Sequence, residues 1–186
     1  MDKYLLRVAG LTRELPLFEA NPHLDIAGFV MFSDVALTEA CAKALLAKVA
    51  AAIPVPSGGF DLILTAESKS IPLAYELSRI SGKNYIVARK GVKVYMRNPV
   101  KVSVTSITTA GEQHLYLGTD DIDRMRGRKI LLVDDVISTG ASLKALEKLA
   151  AIAEAVVFGR ASVLAEGAAA DRPDIVYLEK LPVFPK

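Results

Sequence analysis

The residues with the clearest chemical use lie in the segment 129–143, where two carboxylates precede a short run of hydroxyl-bearing side chains. Asp134 and Asp135 follow the apolar residues 130–133, a pattern that is typical of a strand buried on both faces. The segment 138–142 is small and polar, and leucines at helical spacing come after it. A strand, a polar turn and a helix are therefore predicted, with acids and hydroxyls between the two elements.

This turn has the chemistry of a phosphate site. The N-terminus of a helix presents free N–H groups and the positive end of a dipole, and both attract anions. A glycine lets the backbone approach a ligand closely, and hydroxyl groups add hydrogen-bond donors. We expect a phosphate monoester to be held by five consecutive residues, namely Ser138, Thr139, Gly140, Ala141 and Ser142.

The two acids suit a different part of the same ligand. Carboxylates do not serve a phosphate, but they accept hydrogen bonds from hydroxyls and can hold a metal ion through water. Asp134 and Asp135 beside a phosphate pocket therefore suggest a ribose 5-phosphate. The same pattern also fits a buried strand, a turn and a capped helix that bind nothing. It is not a P-loop, because no Gly-Lys-Ser/Thr sequence follows.

Length and composition limit the class of protein. The chain has 186 residues, which suits one domain, and 52% of them are hydrophobic, which is enough for a sizeable core. The net charge of +2, with both signs interspersed, offers no basic face for nucleic acid. No apolar run reaches membrane length and the first residues do not resemble a signal peptide, so we expect a soluble protein.

Cysteine and histidine usage gives a further expectation. The single cysteine, Cys41, excludes an internal disulfide and fits a reducing cytosol, so a cytoplasmic location is predicted. It falls in an alanine-rich helical pattern, which favours a buried side chain over a nucleophile. His23 and His114 have no cysteine or histidine at metal-ligand spacing, and no zinc site is predicted.

Strands and helices alternate along the chain, which predicts an α/β fold with a parallel sheet covered by helices on both faces. Ligands of such sheets bind beyond the carboxyl ends of the strands. Glu67, Arg89 and Asp134 each follow a predicted strand, so we expect them to meet at one edge of the sheet. Two segments are predicted to lack regular structure, namely residues 11–18 and the mixed-charge run 120–128, which is expected to form a solvated turn.

The segment 129–143 resembles the binding signature for 5-phosphoribosyl 1-pyrophosphate (PRPP) in type I phosphoribosyltransferases: an apolar strand, two acids, and a small loop rich in threonine and glycine. The resemblance implies a Rossmann-like parallel sheet with helices on both faces, formed by a single domain of residues 1–186. It also implies a small hood from about residues 1–35 and 179–186, and a flexible β-ribbon loop at about 92–117 that closes over the substrates.

Three further segments resemble parts of the same family. The family's pyrophosphate loop is matched by four consecutive residues, Glu67, Ser68, Lys69 and Ser70. The strand that ends in two cations facing the pyrophosphate is matched at Arg89 and Lys90. The apolar segment 29–35 resembles the base-binding segment of adenine phosphoribosyltransferases, which implies that Phe32 stacks on the base and Met31 contacts its edge.

Two positions depart from the adenine-specific pattern. Adenine-specific members carry Tyr-x-Leu-Glu-Tyr-Gly in the flexible loop, whereas this chain has Ser-Ile-Thr-Thr-Ala-Gly at 106–111 and lacks the glutamate. Ser33 stands where the family usually has arginine. Both departures favour xanthine or guanine as the alternative base.

The resemblance implies a purine phosphoribosyltransferase of purine salvage, which converts a base and PRPP into a nucleoside 5′-monophosphate and pyrophosphate, with adenine as the first candidate. Catalysis would fall to four residues, Asp134, Asp135, Arg89 and Lys90. Mg²⁺ would be held by the two acids through water, without direct protein ligands. The expected partners are small molecules, not nucleic acid or membrane, and a homodimer is expected. The alternative from another class is a PRPP-sensing regulator, but no basic helix-turn-helix pattern is present.

Overall fold

The computed structural model describes residues 2–53, 59–104 and 113–186. The strands in these ranges are β1 (Lys3–Val8), β2 (Leu11–Asn21), β3 (Leu24–Ala27), β4 (Leu62–Ala66), β5 (Asn84–Ala88), β6 (Val100–Val104), β7 (Gln113–Leu117), β8 (Lys129–Ile137), β9 (Val156–Glu166), β10 (Val176–Leu181) and β11 (Phe184–Pro185). The helices are α1 (Val35–Ala52), α2 (Ile71–Ser81), α3 (Thr119–Met125) and α4 (Ala141–Ile152), with a short 3₁₀ helix at Gly167–Asp171. Within these ranges, no helix combines the length and the apolar character needed to cross a bilayer.

A five-stranded parallel sheet forms the centre of the molecule, in the order β10-β9-β8-β4-β5. Alternate residues of β4 face opposite sides: Leu62 and Leu64 pack in the core that includes α4, and Ile63 packs in the core that includes α1 and α2. Each face of the sheet therefore buries its own hydrophobic layer. The predicted α/β fold with helices on both faces is confirmed.

A second sheet joins the two ends of the described chain, in the order β1-β2-β3-β11. Its pairings are antiparallel, and β11 near the C-terminus pairs with β3. Leu6, Val8 and Leu15 belong to the same buried cluster as α1, so this sheet packs on the face of the molecule that α1 covers. Its role as a hood over a bound base stays a prediction.

Three expectations about local structure are wrong. Residues 11–18 belong to β2. Pro16 pairs with Lys3, the first residue of β1, and at this margin of the pairing its missing N–H is tolerated. The segment 120–128 is not a solvated turn, because α3 occupies most of it and buries Ile122 and Met125 one turn apart. The acid pair lies within β8, which continues to Ile137 and does not end before the acids.

The first turn of α1 is stabilised by Asp34. Its Oδ1 accepts the N–H of Leu37 at 3.0 Å, which caps the helix. Arg13 of β2 holds the same carboxylate through two hydrogen bonds, 2.6 Å from Nε to Oδ2 and 3.1 Å from Nη2 to Oδ1. The hydrogen bond from Arg13 lowers the pKa of Asp34 below its usual range. The cap therefore also joins the antiparallel sheet to α1.

Asp34→Ala is expected to lower the free energy of unfolding by about 1 kcal/mol at pH 7, since it removes the helix cap. Because the folded pKa of Asp34 is lowered, the carboxylate stabilises the fold above the ordinary aspartate pKa, and this contribution is lost as the pH falls through the folded value. Urea unfolding at pH 7 and near pH 3 should show a smaller difference between variant and parent at the lower pH. Asp171→Ala, which removes an exposed carboxylate, is the matched control.

Cys41 is fully buried on α1, as the sequence predicts. Burial raises the pKa of its thiol to about 12, so the thiolate that reacts with electrophiles is scarce at neutral pH. The residue is therefore part of the core.

Candidate functional site

Strands β4 and β5 end at one edge of the parallel sheet, level with Val133, the residue of β8 that precedes the acid pair. Thr65 of β4 pairs with Val133 of β8, and Ala66 of β4 pairs with Ala88 of β5. Pairing between β4 and β8 stops at this point, while β8 continues alongside β9. One side of β8 is therefore unpaired where its two acids begin, and the loops after β4 and β5 reach the same edge.

Two adjoining cavities of about 190 Å³ each lie at this edge. The first, which we name the 67–70 cavity, is lined by residues 66–70, Lys90, residues 134–136, Ser142, Val104 and residues 113–115. The second, the 138–142 cavity, is lined by Asp134, residues 136–143, Val104 and Gln113. Both share Asp134 and Ser142 in their linings, so the acid pair lies between a loop that carries a lysine and a loop rich in hydroxyls.

The acid pair is largely removed from water. Asp135 is 3% exposed and Asp134 is half-buried, and the N–H of Asp135 donates to Oδ1 of Asp134 at 3.0 Å. Burial, followed by the neighbouring Asp135 carboxylate, raises the pKa of the Asp134 carboxyl well above its usual range, and the charge of Lys69 opposes this rise. The fold therefore stabilises the protonated form of Asp134.

Asp135 has an oxygen that the described part of the chain leaves without a hydrogen bond. Its Oδ2 is buried, and the Nζ of Lys69 lies 3.1 Å away as an ion pair whose geometry is not that of a hydrogen bond. A buried carboxylate oxygen without a hydrogen bond is costly unless a ligand completes it. The position suits a ligand hydroxyl or a metal-bound water.

Glu67 does not point its carboxylate at a ligand. Its Oε2 accepts the backbone N–H of Lys90 at 2.9 Å, and its Oε1 lies 3.3 Å from Nη2 of Arg89. The backbone N–H of Glu67 donates to Ala88 O at 2.9 Å. Glu67 therefore ties the loop after β4 to the end of β5 and orients Lys90, which lines the 67–70 cavity.

Arg89 is placed behind the cavity wall. It is absent from the linings of both cavities, and its buried Nε has no hydrogen-bond partner among the described residues. Its backbone N–H and C=O pair with Tyr116, which attaches β7 to the same edge. A direct contact of Arg89 with a ligand stays a prediction.

The loop 138–142 has the backbone form that its glycine suggested. Gly140 has a φ of +77° and stands at the start of α4, where a left-handed conformation favours glycine. Ser138 and Thr139 are exposed, and Ser142 is half-buried in the lining of both cavities. The hydroxyls and the free N–H groups at the start of α4 therefore border one cavity.

The two residues predicted to bind a base lie apart from these cavities. Met31 is 1% exposed and belongs to the core, and Phe32 is 47% exposed. Phe32 borders a different cavity of about 480 Å³, together with Phe18 and Arg13 of β2. Base binding by Met31 and Phe32 therefore stays a prediction.

The resemblance implies that the ribbon at about 92–117 closes over the substrates, but no residue of β7 was assigned to the site. Gln113, His114 and Leu115 all border the 67–70 cavity, and Gln113 borders the second one as well. The alternation in residues 92–117 predicted a ribbon, but only the pairing of Arg89 with Tyr116 places that ribbon beside the strand ends. The tip, residues 105–112, carries the predicted glutamate-free segment and lies outside the described residues.

No group of three or more His, Cys, Asp or Glu side chains among the described residues is arranged to hold a metal ion. The acid pair by itself supplies fewer ligands than a metal site made of protein side chains alone needs. A cation here would have to complete its coordination with water and ligand oxygens.

Residues 37–183 match the protein family described as "Phosphoribosyl transferase domain". The chain belongs to this family. The matched residues include the parallel sheet and both cavities. The expected membership of the type I phosphoribosyltransferases is therefore confirmed.

The relatives of this chain are named either as adenine or as hypoxanthine/guanine phosphoribosyltransferases. The chain is 30% identical to an adenine phosphoribosyltransferase of Mycobacterium avium over 165 residues, which are 89% of this chain and 85% of the relative. It is 32% identical to that of Bifidobacterium longum subsp. infantis, over 58% of this chain and 53% of the relative. It is 31% identical to a hypoxanthine/guanine phosphoribosyltransferase of Methanothrix thermoacetophila, over 60% of this chain and 55% of the relative. The chain spans about half the length of these last two relatives.

Solved phosphoribosyltransferase structures share the fold. The adenine phosphoribosyltransferase of Trypanosoma brucei, solved in complex with AMP, pyrophosphate and ribose-5-phosphate, superposes with a TM-score of 0.69. It is 16% identical, and the match covers 89% of this chain and 76% of that one. The adenine phosphoribosyltransferase of Thermoanaerobacter pseudethanolicus superposes with a TM-score of 0.67 at 19% identity. The match covers 89% of this chain and 95% of that one. These similarities show a common backbone arrangement.

Ser70 and Ser68 provide a matched pair of variants in the loop that resembles the family's pyrophosphate loop. The Ser70 hydroxyl is buried, 2.6 Å from Thr65 Oγ1 and 3.0 Å from Ala66 O, whereas Ser68 is exposed. Ser70→Ala should therefore lower the free energy of unfolding by about 1–2 kcal/mol and barely alter pyrophosphate affinity. Ser68→Ala should leave the free energy of unfolding nearly unchanged and weaken the binding of pyrophosphate. Urea unfolding and calorimetric titration with pyrophosphate measure the two effects, and equal loss of affinity in both variants would contradict this assignment.

Proposed function

We propose that this protein is a purine phosphoribosyltransferase that joins a purine base to the phosphoribosyl group of PRPP and releases pyrophosphate, with adenine as the first candidate base. The observation that carries the proposal is the pair of adjoining cavities with Asp134 in both linings. PRPP has a pyrophosphate, two ribose hydroxyls and a 5′-phosphate, and the edge of the sheet offers cations, carboxylates and a hydroxyl-rich loop in the same order.

The pyrophosphate end would lie in the 67–70 cavity. Breaking the bond to C1 of the ribose builds negative charge on the departing pyrophosphate and positive charge on the sugar. The side chains of Lys69 and Lys90 carry positive charge at this cavity, and Glu67 holds the Lys90 backbone in place. Groups fixed in position before the reaction stabilise developing charge without reorganising. Arg89 would act through Glu67, which its guanidinium contacts.

The ribose would lie over the acid pair. Asp134 and Asp135 offer carboxylate oxygens to its two hydroxyls, and the Oδ2 of Asp135 that lacks a hydrogen bond is the natural acceptor. The 5′-phosphate would then lie in the 138–142 cavity, against the hydroxyls and the start of α4. PRPP would therefore lie along the edge of the sheet, with its pyrophosphate in the 67–70 cavity and its 5′-phosphate in the 138–142 cavity.

The acid pair also fits the Mg²⁺ that PRPP chemistry uses. When bound, the ion would neutralise negative charge on the pyrophosphate and ribose oxygens. Asp134 and Asp135 would hold it through water, and oxygens of PRPP and further water would complete its coordination. The Nζ of Lys69, 3.1 Å from Oδ2 of Asp135, would offset part of the negative charge of the pair.

Two kinds of purine base have support as the substrate. Relatives named for adenine and for hypoxanthine/guanine match the chain at 30–32% identity. Ser33, in place of the family's usual arginine, favours an oxopurine such as guanine or xanthine. Met31 and Phe32 would contact the base, and closure of the 92–117 segment would exclude water from PRPP. A cytoplasmic homodimer belongs to the same proposal.

The test is pyrophosphate release from PRPP and Mg²⁺, with adenine, guanine, hypoxanthine, xanthine and orotate supplied separately. We expect release that depends on one purine. No release with any base, together with tight PRPP binding by calorimetry, would replace the enzyme with a PRPP-sensing protein. Release that depends on orotate alone would contradict the purine assignment.

A further inference from the structure

Arg172 lies against the loop 138–142, although no sequence motif assigned it to a site. A methyl group built on Gly140 would be only 3.0 Å from Nη1 of Arg172. Gly140 is the residue at which the loop enters α4. The guanidinium therefore lies beside the backbone of the loop, 32 residues away in the sequence, and outside the described linings of both cavities.

The orientation of Arg172 is set by Asp174. Nε of Arg172 donates to Oδ1 of Asp174 at 3.0 Å, and Nη2 donates to Oδ2 at 2.8 Å. Such a two-point contact fixes the plane of a guanidinium group. Two of its three nitrogens are therefore held by the carboxylate, and the third, Nη1, is the one beside Gly140.

Asp174 is itself held in place from α4. Its Oδ2 lies 3.5 Å from Nε of Arg160, and the same Nε donates to Oε1 of Glu147 at 2.5 Å. Glu147 belongs to α4, whose first turn carries the loop. A chain of alternating charges thus runs from the middle of α4 to its N-terminal end and finishes at Arg172.

A positive charge near the 138–142 cavity would strengthen phosphate binding there. Its described lining contains the carboxylate of Asp134 and no lysine or arginine. A phosphate monoester carries about −1.5 to −2 charges at pH 7, while a helix dipole supplies roughly half a positive charge. Hydroxyl groups add hydrogen bonds but no net charge.

We propose that Arg172 is a phosphate-binding residue of this site, whose guanidinium offsets the charge of a phosphate monoester on the loop 138–142. Asp174 and Arg160 are positioning residues for it. The inference rests on the proposed function, because it takes the ligand to be the 5′-phosphate of a phosphoribosyl compound. It adds a cation from outside the loop, and the affinity for the phosphate end of the ligand becomes sensitive to salt.

The test is calorimetric titration of the full chain with ribose 5-phosphate and, separately, with pyrophosphate. Arg172→Met should weaken ribose 5-phosphate binding by about tenfold or more, since it removes a charge-assisted contact. Pyrophosphate binding should stay within about twofold of the parent, because that ligand is assigned to the 67–70 cavity. Arg172→Lys should retain part of the affinity, and Lys148→Met removes one charge from an exposed position of α4 as the matched control.

Each outcome decides the inference. Equal ribose 5-phosphate affinity in parent and Arg172→Met would overturn it, and so would an equal loss for both ligands, which would mean a purely structural role. Should Arg172→Met fail to fold, Arg172→Gln keeps one hydrogen bond to Asp174 and must show the same selective loss. If the selective loss is seen but no base releases pyrophosphate from PRPP, the proposed enzyme fails while the phosphate site stands.

Discussion

Asp134→Asn is expected to remove most turnover and, at the same time, to stabilise the folded protein at neutral pH. Asparagine keeps the shape of the side chain and can still accept the N–H of Asp135, but it cannot bear a negative charge. Losing one preorganised charged group commonly lowers kcat about 10²- to 10³-fold. Removing one of two adjacent buried charges should raise the free energy of unfolding by on the order of 1 kcal/mol.

The free energy of unfolding of the parent should depend on pH through Asp134. Burial and the Asp135 carboxylate raise the folded pKa of Asp134, so the folded state holds its proton more tightly than the unfolded chain does. The resulting stability is fully present below the unfolded aspartate pKa of about 3.9, and it is lost as the pH rises through the folded pKa. Urea unfolding between pH 5 and pH 8 should therefore show a decline in the parent that Asp134→Asn lacks.

Asp121→Asn is the matched control for this prediction. Burial also raises the pKa of Asp121, which lies on α3 and borders neither cavity. Its variant should share the gain of stability at higher pH and keep full turnover. Unchanged turnover in Asp134→Asn would remove the acid pair from the proposed mechanism.

Lys69→Met is expected to reduce kcat/KM with PRPP by about 10²-fold, the second large effect. The side chain has two roles at the edge of the sheet: it lines the 67–70 cavity, and its Nζ forms an ion pair with Oδ2 of Asp135 at 3.1 Å. Its removal takes a cation away from the pyrophosphate and leaves a buried carboxylate uncompensated. Because the lysine itself is 49% exposed, the loss of stability should be limited to roughly 1 kcal/mol.

Steady-state rates and urea unfolding separate the two roles of Lys69. Lys180→Met, which breaks an exposed pair with Asp171, should leave both quantities unchanged. The double variant Lys69→Met with Asp135→Asn should recover the lost stability, because no uncompensated charge is then buried, but it should not recover turnover. A variant Lys69→Met with full kcat/KM would show that the loop does not bind the leaving group.

Local patterns in the sequence were sufficient where they concern one element at a time. The predicted strands before Glu67 and Arg89 are present as β4 and β5, because a short apolar run acts within a few residues. The prediction for β2 was wrong since Pro16 weakens a local strand pattern, whereas the pairing of β2 with β1 and β3 is a long-range contact. The burial of Ile122 and Met125 in α3 was not predicted for the same reason. Charged residues surround them in the sequence, and their burial depends on long-range contacts in the core.

The chemistry at the strand ends of this protein can be read from its local sequence. Two acids after an apolar run, a hydroxyl-rich turn and a lysine-bearing loop are local features, and parallel strands must bring their carboxyl ends to one edge. Long-range contacts set where these groups point: Ser70 and Glu67 bond to the backbone, residues 113–115 line the 67–70 cavity from β7, and Arg172 lies beside Gly140 from a distant part of the chain. The physical reason is that side-chain direction at the edge depends on strand pairing and on ion pairs between elements, and sequence spacing within one element carries no information about either.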